Sequence, residues 1–197
     1  MNFSSFLLMR QEILLLTIIL LLLIGEIFIP KNKKSSLVHL ALFLFGIHTV
    51  AGFYAIDESS IFGGSFQTNN LIHFFKNVLN IGVFILLLQS ADWIEEKLIN
   101  ENRGAEFFLL LFSSLLGMYF MISAGDFLMF YIGLELSTLP VAALAAYETT
   151  KRKSSEAGIK LILSAALASG VSLFGISMLY ATSGSIFFND IIEVISS

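Results

Sequence analysis

One carboxylate of this 197-residue sequence lies in the middle of a long apolar segment. Glu135 follows Asp126 by about nine residues and precedes Tyr147 by about twelve, so in a helix it would lie roughly 15 Å from either end. An ionisable side chain at mid-membrane depth is costly, faces protein or water, and commonly marks a proton or ion pathway. Glu135 is therefore the first candidate catalytic residue, as a group that takes up and releases protons. The alternative is a structural carboxylate that bonds a neighbouring side chain.

Polar residues recur at helical spacing around Glu135. Tyr131 and Thr138 share its face of a helix. Pro140 cannot donate a backbone hydrogen bond, which frees the carbonyl of Leu136 beside the carboxylate. We expect Tyr131, Thr138 and Pro140 to support a polar break at mid-membrane where water is held.

Lys160 is the second candidate for the same chemistry. It lies in the first turn of the next apolar segment, at a depth that differs from that of Glu135 by about 10 Å. A direct ion pair with Glu135 is therefore not expected, whereas a water-bridged proton relay is possible. The alternative is that the Lys160 ammonium extends along its apolar stem to the membrane surface.

The remaining polar and small residues favour packing over chemistry. Lys76, near the start of an apolar segment, is expected to extend to the nearby membrane surface. Small side chains at three- and four-residue steps predict close helix packing at Ser164, Ala168, Ser172 and Gly175. The three histidines have no metal-ligand spacing and are expected to be packing or interface residues: His39, His48 and His73. No metal site is predicted.

The composition places these residues in a membrane protein. Apolar residues make up 56% of the chain and charged residues 13%, about half the charged fraction of a soluble domain. The mean hydropathy is +0.86. Cysteine is absent, which excludes disulfides and thiolate sites. The chain has 11 basic and 15 acidic residues, so it offers no basic surface for nucleic acid.

Six apolar segments are long enough to cross a bilayer, which requires roughly 20 residues each. The predicted fold is an all-α polytopic transmembrane helix bundle in a single membrane domain, residues 1–197. The segments cover about 13–29, 37–56, 71–91, 106–122, 126–147 and 157–180. Arg10 and the following leucines also resemble a signal peptide, but no small-residue cleavage site follows, so a retained span is favoured.

Basic residues cluster in alternate connections, which predicts the orientation of the bundle. The first, third and fifth connections carry Lys31, Lys33, Lys34, Lys97, Arg103, Lys151, Arg152 and Lys153. Such connections remain in the cytoplasm. Both termini are therefore expected on the non-cytoplasmic side.

The segment Asp126–Pro140 resembles the fifth span of the antiporter-like subunits of respiratory complex I. The pattern Gly-Leu-Glu-Leu-x-x-Leu-Pro, with Glu135 as its acid, is similar to subunit N of bacterial NADH-quinone oxidoreductase, the counterpart of mitochondrial ND subunit 2. The stretch from Ser154 to Ser169, which contains Lys160, resembles the same subunit. The specific resemblance covers about 106–185, and before it only the pattern of spans agrees.

The resemblance implies a role in redox-driven proton translocation. Glu135 would belong to a half-channel at mid-membrane, and Lys160 would match a recurring lysine of the sixth span. NADH, FMN, iron–sulfur clusters and quinone would be bound by partner subunits, and this chain would hold no cofactor. Its partners would be other membrane-arm subunits and the lipid bilayer. Family members have further spans that carry central lysines, so the chain would be an N-terminal part of a longer subunit.

Two other functions remain open from the sequence. An Mrp-type cation/proton antiporter subunit is disfavoured because that group usually has Trp where this chain has Leu134. A non-conducting structural membrane subunit would bind its neighbours through lipid-facing helices. The expected location is the cell inner membrane, and the mitochondrial inner membrane is the less favoured alternative.

Overall fold

Seven α-helices account for most of the chain that the structure describes. The structure is a computed structural model, and it describes residues 7–28, 35–54, 58–99, 104–148 and 150–196. The helices are α1 (Arg10–Phe28), α2 (Ser35–Ala51), α3 (Asn70–Trp93), α4 (Gly104–Ile122), α5 (Phe127–Ala145), α6 (Arg152–Ser183) and α7 (Phe188–Ser196). A wider π-helical turn, Ile94–Ile99, continues α3. The prediction of a helical membrane protein is confirmed.

Five of these helices are long and apolar enough to cross a membrane: α1, α3 with its continuation, α4, α5 and α6. The predicted second span, 37–56, corresponds to α2, which has 17 residues and is the shorter apolar helix. Residues 55–57 at its predicted end, and the first basic connection, lie outside the described residues. The sixth span and the orientation of the termini therefore stay predictions.

A short antiparallel ribbon lies between α2 and α3. Strand β1 (Ser59–Ile61) pairs with β2 (Phe66–Thr68), with Ser59 opposite Thr68. Backbone bonds join the ribbon to the α4–α5 connection, from Gln67 N–H to the Ser123 carbonyl (2.8 Å) and from Gly125 N–H to the Ser65 carbonyl (2.7 Å). A Cβ at Gly125 would lie 2.0 Å from the Gly64 oxygen, so this approach requires glycine. We call this end of the bundle the ribbon end.

Helix α4 is the centre of the bundle. It packs against α5 most extensively and also contacts α1, α2 and α3. Its aromatic side chains are fully buried at Phe108, Phe112 and Tyr119. Phe45 of α2 stacks on Phe112, with ring centroids 5.0 Å apart. This apolar interior fixes the positions of α1 to α4 around one another.

Two glycines allow α4 and α5 to touch backbone to backbone. A Cβ at Gly117 would lie 2.4 Å from the Ser137 nitrogen, and one at Gly133 would lie 2.6 Å from the Met121 nitrogen. Ser114 Oγ donates to the Ser137 carbonyl across the same contact (2.9 Å). Small residues allow such close approach between helices in lipid.

Helix α6 packs on α5 along a narrow stripe and is otherwise exposed. Leu163, Leu167 and Phe174 are 65%, 73% and 66% exposed. The small-residue face predicted to pack closely is also exposed, so that prediction is wrong within this chain. The close contact of α6 uses Gly158 instead, where a Cβ would lie 2.4 Å from the Ala146 Cβ. A long apolar helix with so little burial faces lipid or another protein surface.

Candidate functional site

Glu135 lies in the middle of α5, as the sequence predicts. The helix begins after Asp126, whose carboxylate accepts a hydrogen bond from the Met129 N–H (2.7 Å) and caps the first turn. Glu135 follows the start of the helix by about two turns, or roughly 12 Å. Its side chain is half-buried. Gly133 and Ser137 are turned toward α4, which leaves Glu135 on another face of α5.

The side chain of Tyr131, one turn earlier in α5, lies near Glu135 and also near Ser169 of α6, close enough to influence both groups. A Tyr131 hydroxyl turned toward Glu135 could donate to its carboxylate, which only accepts hydrogen bonds. Ser169 is one of the buried residues of α6, with 7% exposure. The structure thus brings Tyr131 to Glu135 and adds Ser169, which the sequence did not single out as a site residue.

The polar turn that follows Glu135 bonds mainly within its own helix. Ser137 Oγ and Thr138 Oγ1 both donate to the Leu134 carbonyl, at 2.8 and 2.9 Å. Helix α5 continues through Pro140 to Ala145. A cleft of about 160 Å³ lies beside Thr138, between α4, α5 and α6. Its lining is apolar apart from the two hydroxyls.

Lys160 is exposed in α6 and is not brought to Glu135. Its ammonium pairs with Glu156 one turn earlier, at 2.6 Å, and the two side chains are 72% and 55% exposed. The neighbouring Leu161 lines the same cleft as Thr138. The structure therefore places Lys160 at a helix surface, one residue from the cleft beside α5.

A second polar centre, near the ribbon end, was missed by the sequence analysis. Lys76 of α3 does not extend to the surface: its ammonium donates to Glu12 of α1 at 2.5 Å, and the side chains are 2% and 3% exposed. The prediction of a surface-seeking Lys76 is therefore wrong. One feature of the sequence could have indicated this centre: Glu12 and Lys76 are charged residues inside apolar helices, each within about two turns of the start of its helix. Nothing in the sequence pairs them.

Known proteins are similar to this chain over nearly its whole length. Residues 124–197 match the family model described as the transmembrane region of NADH:quinone oxidoreductase and Mrp antiporters. Subunit N of NADH-quinone oxidoreductase from Phocaeicola vulgatus is 39% identical over 191 residues, which cover 97% of this chain and 40% of the relative. Subunit N from Azobacteroides pseudotrichonymphae is 39% identical over 200 residues, with 100% and 42% covered. The similarity thus extends well before residue 106, where the sequence alone offered only the pattern of spans.

A more distant relative agrees. Subunit N from Rhodospirillum rubrum is 35% identical over 201 residues, which cover 98% of this chain and 40% of the relative. The chain spans about 40% of the length of the curated relatives it matches. It is a multi-pass membrane protein that belongs to the family of subunit N of bacterial NADH-quinone oxidoreductase.

Proposed function

We propose that this chain forms part of the proton-translocating membrane arm of NADH-quinone oxidoreductase, with Glu135 as its mid-membrane protonatable group. The observation that supports this role is the position of Glu135, a half-buried carboxylate in the middle of α5 with Tyr131 one turn away and Ser169 of α6 nearby. Because the carboxylate lies on a different face of α5 from the α4–α5 contact, Glu135 can gain or lose a proton without breaking that contact. Intramembrane carboxylates that face protein commonly serve in proton relays.

The redox chemistry belongs to partner subunits in this proposal. NADH, FMN, the iron–sulfur clusters and quinone bind there, and the chain couples to their reactions through the membrane arm. Its partners are the other antiporter-like and small membrane subunits. The protein lies in the cell inner membrane, with the lysine-rich connections in the cytoplasm and both termini on the opposite side.

Lys160 supplies the second group of the relay. In the structure its ion pair with Glu156 is solvent-exposed, and such pairs contribute at most about 1 kcal/mol. The Lys160 side chain is therefore free to change partner at little cost. The cleft lined by Leu161 and Thr138 lies between the turn after Lys160 and the turn after Glu135, so a water-bridged relay between the two groups would have to pass beside it.

The test is Glu135→Gln in the assembled complex, reconstituted in vesicles. We expect the complex to assemble and proton translocation to fall by about tenfold, because glutamine keeps the size and polarity of the side chain but does not titrate. Glu193→Gln, on the exposed face of α7, is the matched control. Normal translocation by an assembled Glu135→Gln complex would leave Glu135 a structural residue.

The exposed apolar surface of α6 favours a second candidate function, that of a non-conducting scaffold. Under that hypothesis Glu135→Gln has no effect on translocation, whereas polar substitutions at Leu167 or Phe174 abolish assembly. Inhibitors distinguish the oxidoreductase from an Mrp-type antiporter. If rotenone-type or piericidin-type inhibitors of NADH oxidation abolish the proton flux, the flux belongs to the oxidoreductase.

A further inference from the structure

The ion pair near the ribbon end is buried on all sides. Glu12 and Lys76 join α1 to α3 at 2.5 Å, and neither side chain is more than 3% exposed. Phe66 of β2 lies over the ammonium, with its ring centre 5.1 Å from Lys76 Nζ. Tyr119 of α4 lies on another side at 5.7 Å. A buried pair of this kind adds little stability compared with apolar residues of similar volume, so its presence calls for another role.

Hydrogen-bonded residues of three helices lie next to the pair. The Tyr119 hydroxyl donates to the Asn80 side-chain oxygen, and His48 Nε2 lies 2.9 Å from the same hydroxyl. Because the single phenolic proton goes to Asn80, His48 must donate through Nε2. These bonds set the orientation of the Asn80 amide. Asn80 lies one turn after Lys76 on the same face of α3, so its amide is roughly 6 Å further along the helix axis, on the side of the ion pair away from the ribbon.

Near the ion pair, one buried acceptor and one buried donor have no hydrogen-bond partner among the described residues. Among the described residues, no hydrogen-bonding group reaches the second oxygen of Glu12, Oε2, or the nitrogen of Asn80, Nδ2. Both atoms are buried, and such groups are normally satisfied by protein or by ordered water. A single water can accept from Asn80 and donate to Glu12. Among the other buried atoms without hydrogen-bond partners in the described part of the chain, two belong to residues that bond the ribbon: His73 Nδ1 and Ser123 Oγ.

We propose that Glu12 and Lys76 form a proton-exchanging site that holds a bound water, separate from the Glu135 site. Asn80 binds the water, and Tyr119 and His48 are positioning residues that orient the amide. In the transfer, an N–H bond of the Lys76 ammonium breaks and an O–H bond forms on Glu12, which leaves both groups neutral. Glu12 then releases that proton through the bound water, which passes it on to water on its far side, and Lys76 takes up a proton from hydronium at the ribbon end. One proton enters, one leaves, and no oxidant or reductant is needed.

The Glu135 site involves other helices. Glu135 and Tyr131 lie on α5 with Ser169 of α6 nearby, whereas the Glu12–Lys76 pair lies among α1, α3 and α4. Counted from the ribbon end of their helices, Lys76 and Glu135 lie about two turns in, whereas Glu12 lies in the first turn of α1. The inference rests on the proposed function, because translocation is one of its readouts.

The experiment uses the assembled complex in vesicles with the double variant Glu12→Gln/Lys76→Met, which removes both charges and keeps the side-chain volumes. We expect assembly with a fall in proton translocation of about tenfold. The matched control is Glu148→Gln/Lys151→Met, which neutralises an ion pair of similar length (2.6 Å) in which Lys151 is 61% exposed. An assembled double variant that translocates at the control rate overturns the proposal.

A second readout does not depend on the rate of translocation. Infrared difference spectra on reduction by NADH, in H₂O and D₂O, should contain a deuterium-sensitive carboxyl band that Glu12→Gln removes. Tyr119→Phe keeps the ring and frees the Asn80 amide, so it should shift this band and slow translocation even if the double variant fails to assemble. An unchanged band and rate in Tyr119→Phe overturn the proposal. Normal translocation by Glu135→Gln, with the Glu12 band present, would instead refute only the role of Glu135.

Discussion

Gly117→Ala tests the backbone contact that holds α5 beside α4. Gly117 lies where the two helices meet, and its neighbours across the contact are backbone atoms. An added Cβ would lie 2.4 Å from the Ser137 nitrogen and 2.6 Å from the Leu136 carbonyl carbon. Ordinary van der Waals contact begins at 3.4 Å, so the helices would have to separate by roughly 1 Å. Neither partner is a flexible side chain that can turn away.

We expect Gly117→Ala to lower the free energy of unfolding by about 1–3 kcal/mol, the usual cost of forcing an extra carbon into a packed interior. Gly170→Ala in α6 is the matched control, because a Cβ there meets nothing within 4 Å. Alanine is the better helix former, so the control should change stability by less than about 1 kcal/mol, and in the stabilising direction.

The assay compares the unfolding midpoints of the two variants, purified in detergent. Unfolding is monitored by the circular dichroism of the helices. The level of assembled complex in membranes gives an independent measure. If Gly117→Ala unfolds at the same midpoint as Gly170→Ala, the two helices are not in backbone contact and the geometry around Glu135 must be different.

Three further substitutions test individual side chains. Tyr131→Phe removes the hydroxyl that lies near Glu135, so proton translocation should fall while the complex still assembles; an unchanged rate would show that this hydroxyl takes no part in the relay. Lys160→Met should slow translocation with assembly intact if Lys160 joins the relay, whereas an unchanged rate would place it as a surface residue. Asp126→Ala removes the cap on the Met129 N–H and should lower the unfolding free energy by about 1 kcal/mol in detergent, and equal stability would contradict the capping role.

The long helices could be predicted because lipid imposes a simple requirement on sequence. An apolar segment of the right length must form a helix to satisfy its backbone, so the prediction of 106–122 lies within two residues of α4. The ribbon and α7 did not follow from this rule. The ribbon is held by backbone bonds to the Ser123–Gly125 connection, which is distant in the chain.

The same distinction between local and long-range contacts applies to the two polar centres. Glu135 was identified because its depth follows from its position within one segment. Its proximity to Tyr131 is also local, since the two residues are one helical turn apart. Ser169 was missed as a site residue because only the packing of α6 on α5 brings it to Tyr131.

The sequence by itself determined the class of protein, the approximate positions of most helices, the mid-helix carboxylate and the resemblance to subunit N. Each of these depends on composition, period or a local motif, which are properties of contiguous residues. Only the tertiary structure decided that Lys76 is buried against Glu12, 64 residues away, rather than extended to the surface. It also decided that α4 and α5 meet through Gly117 and Gly133. Long-range pairing depends on how helices rotate and pack against one another, and no single segment carries that information.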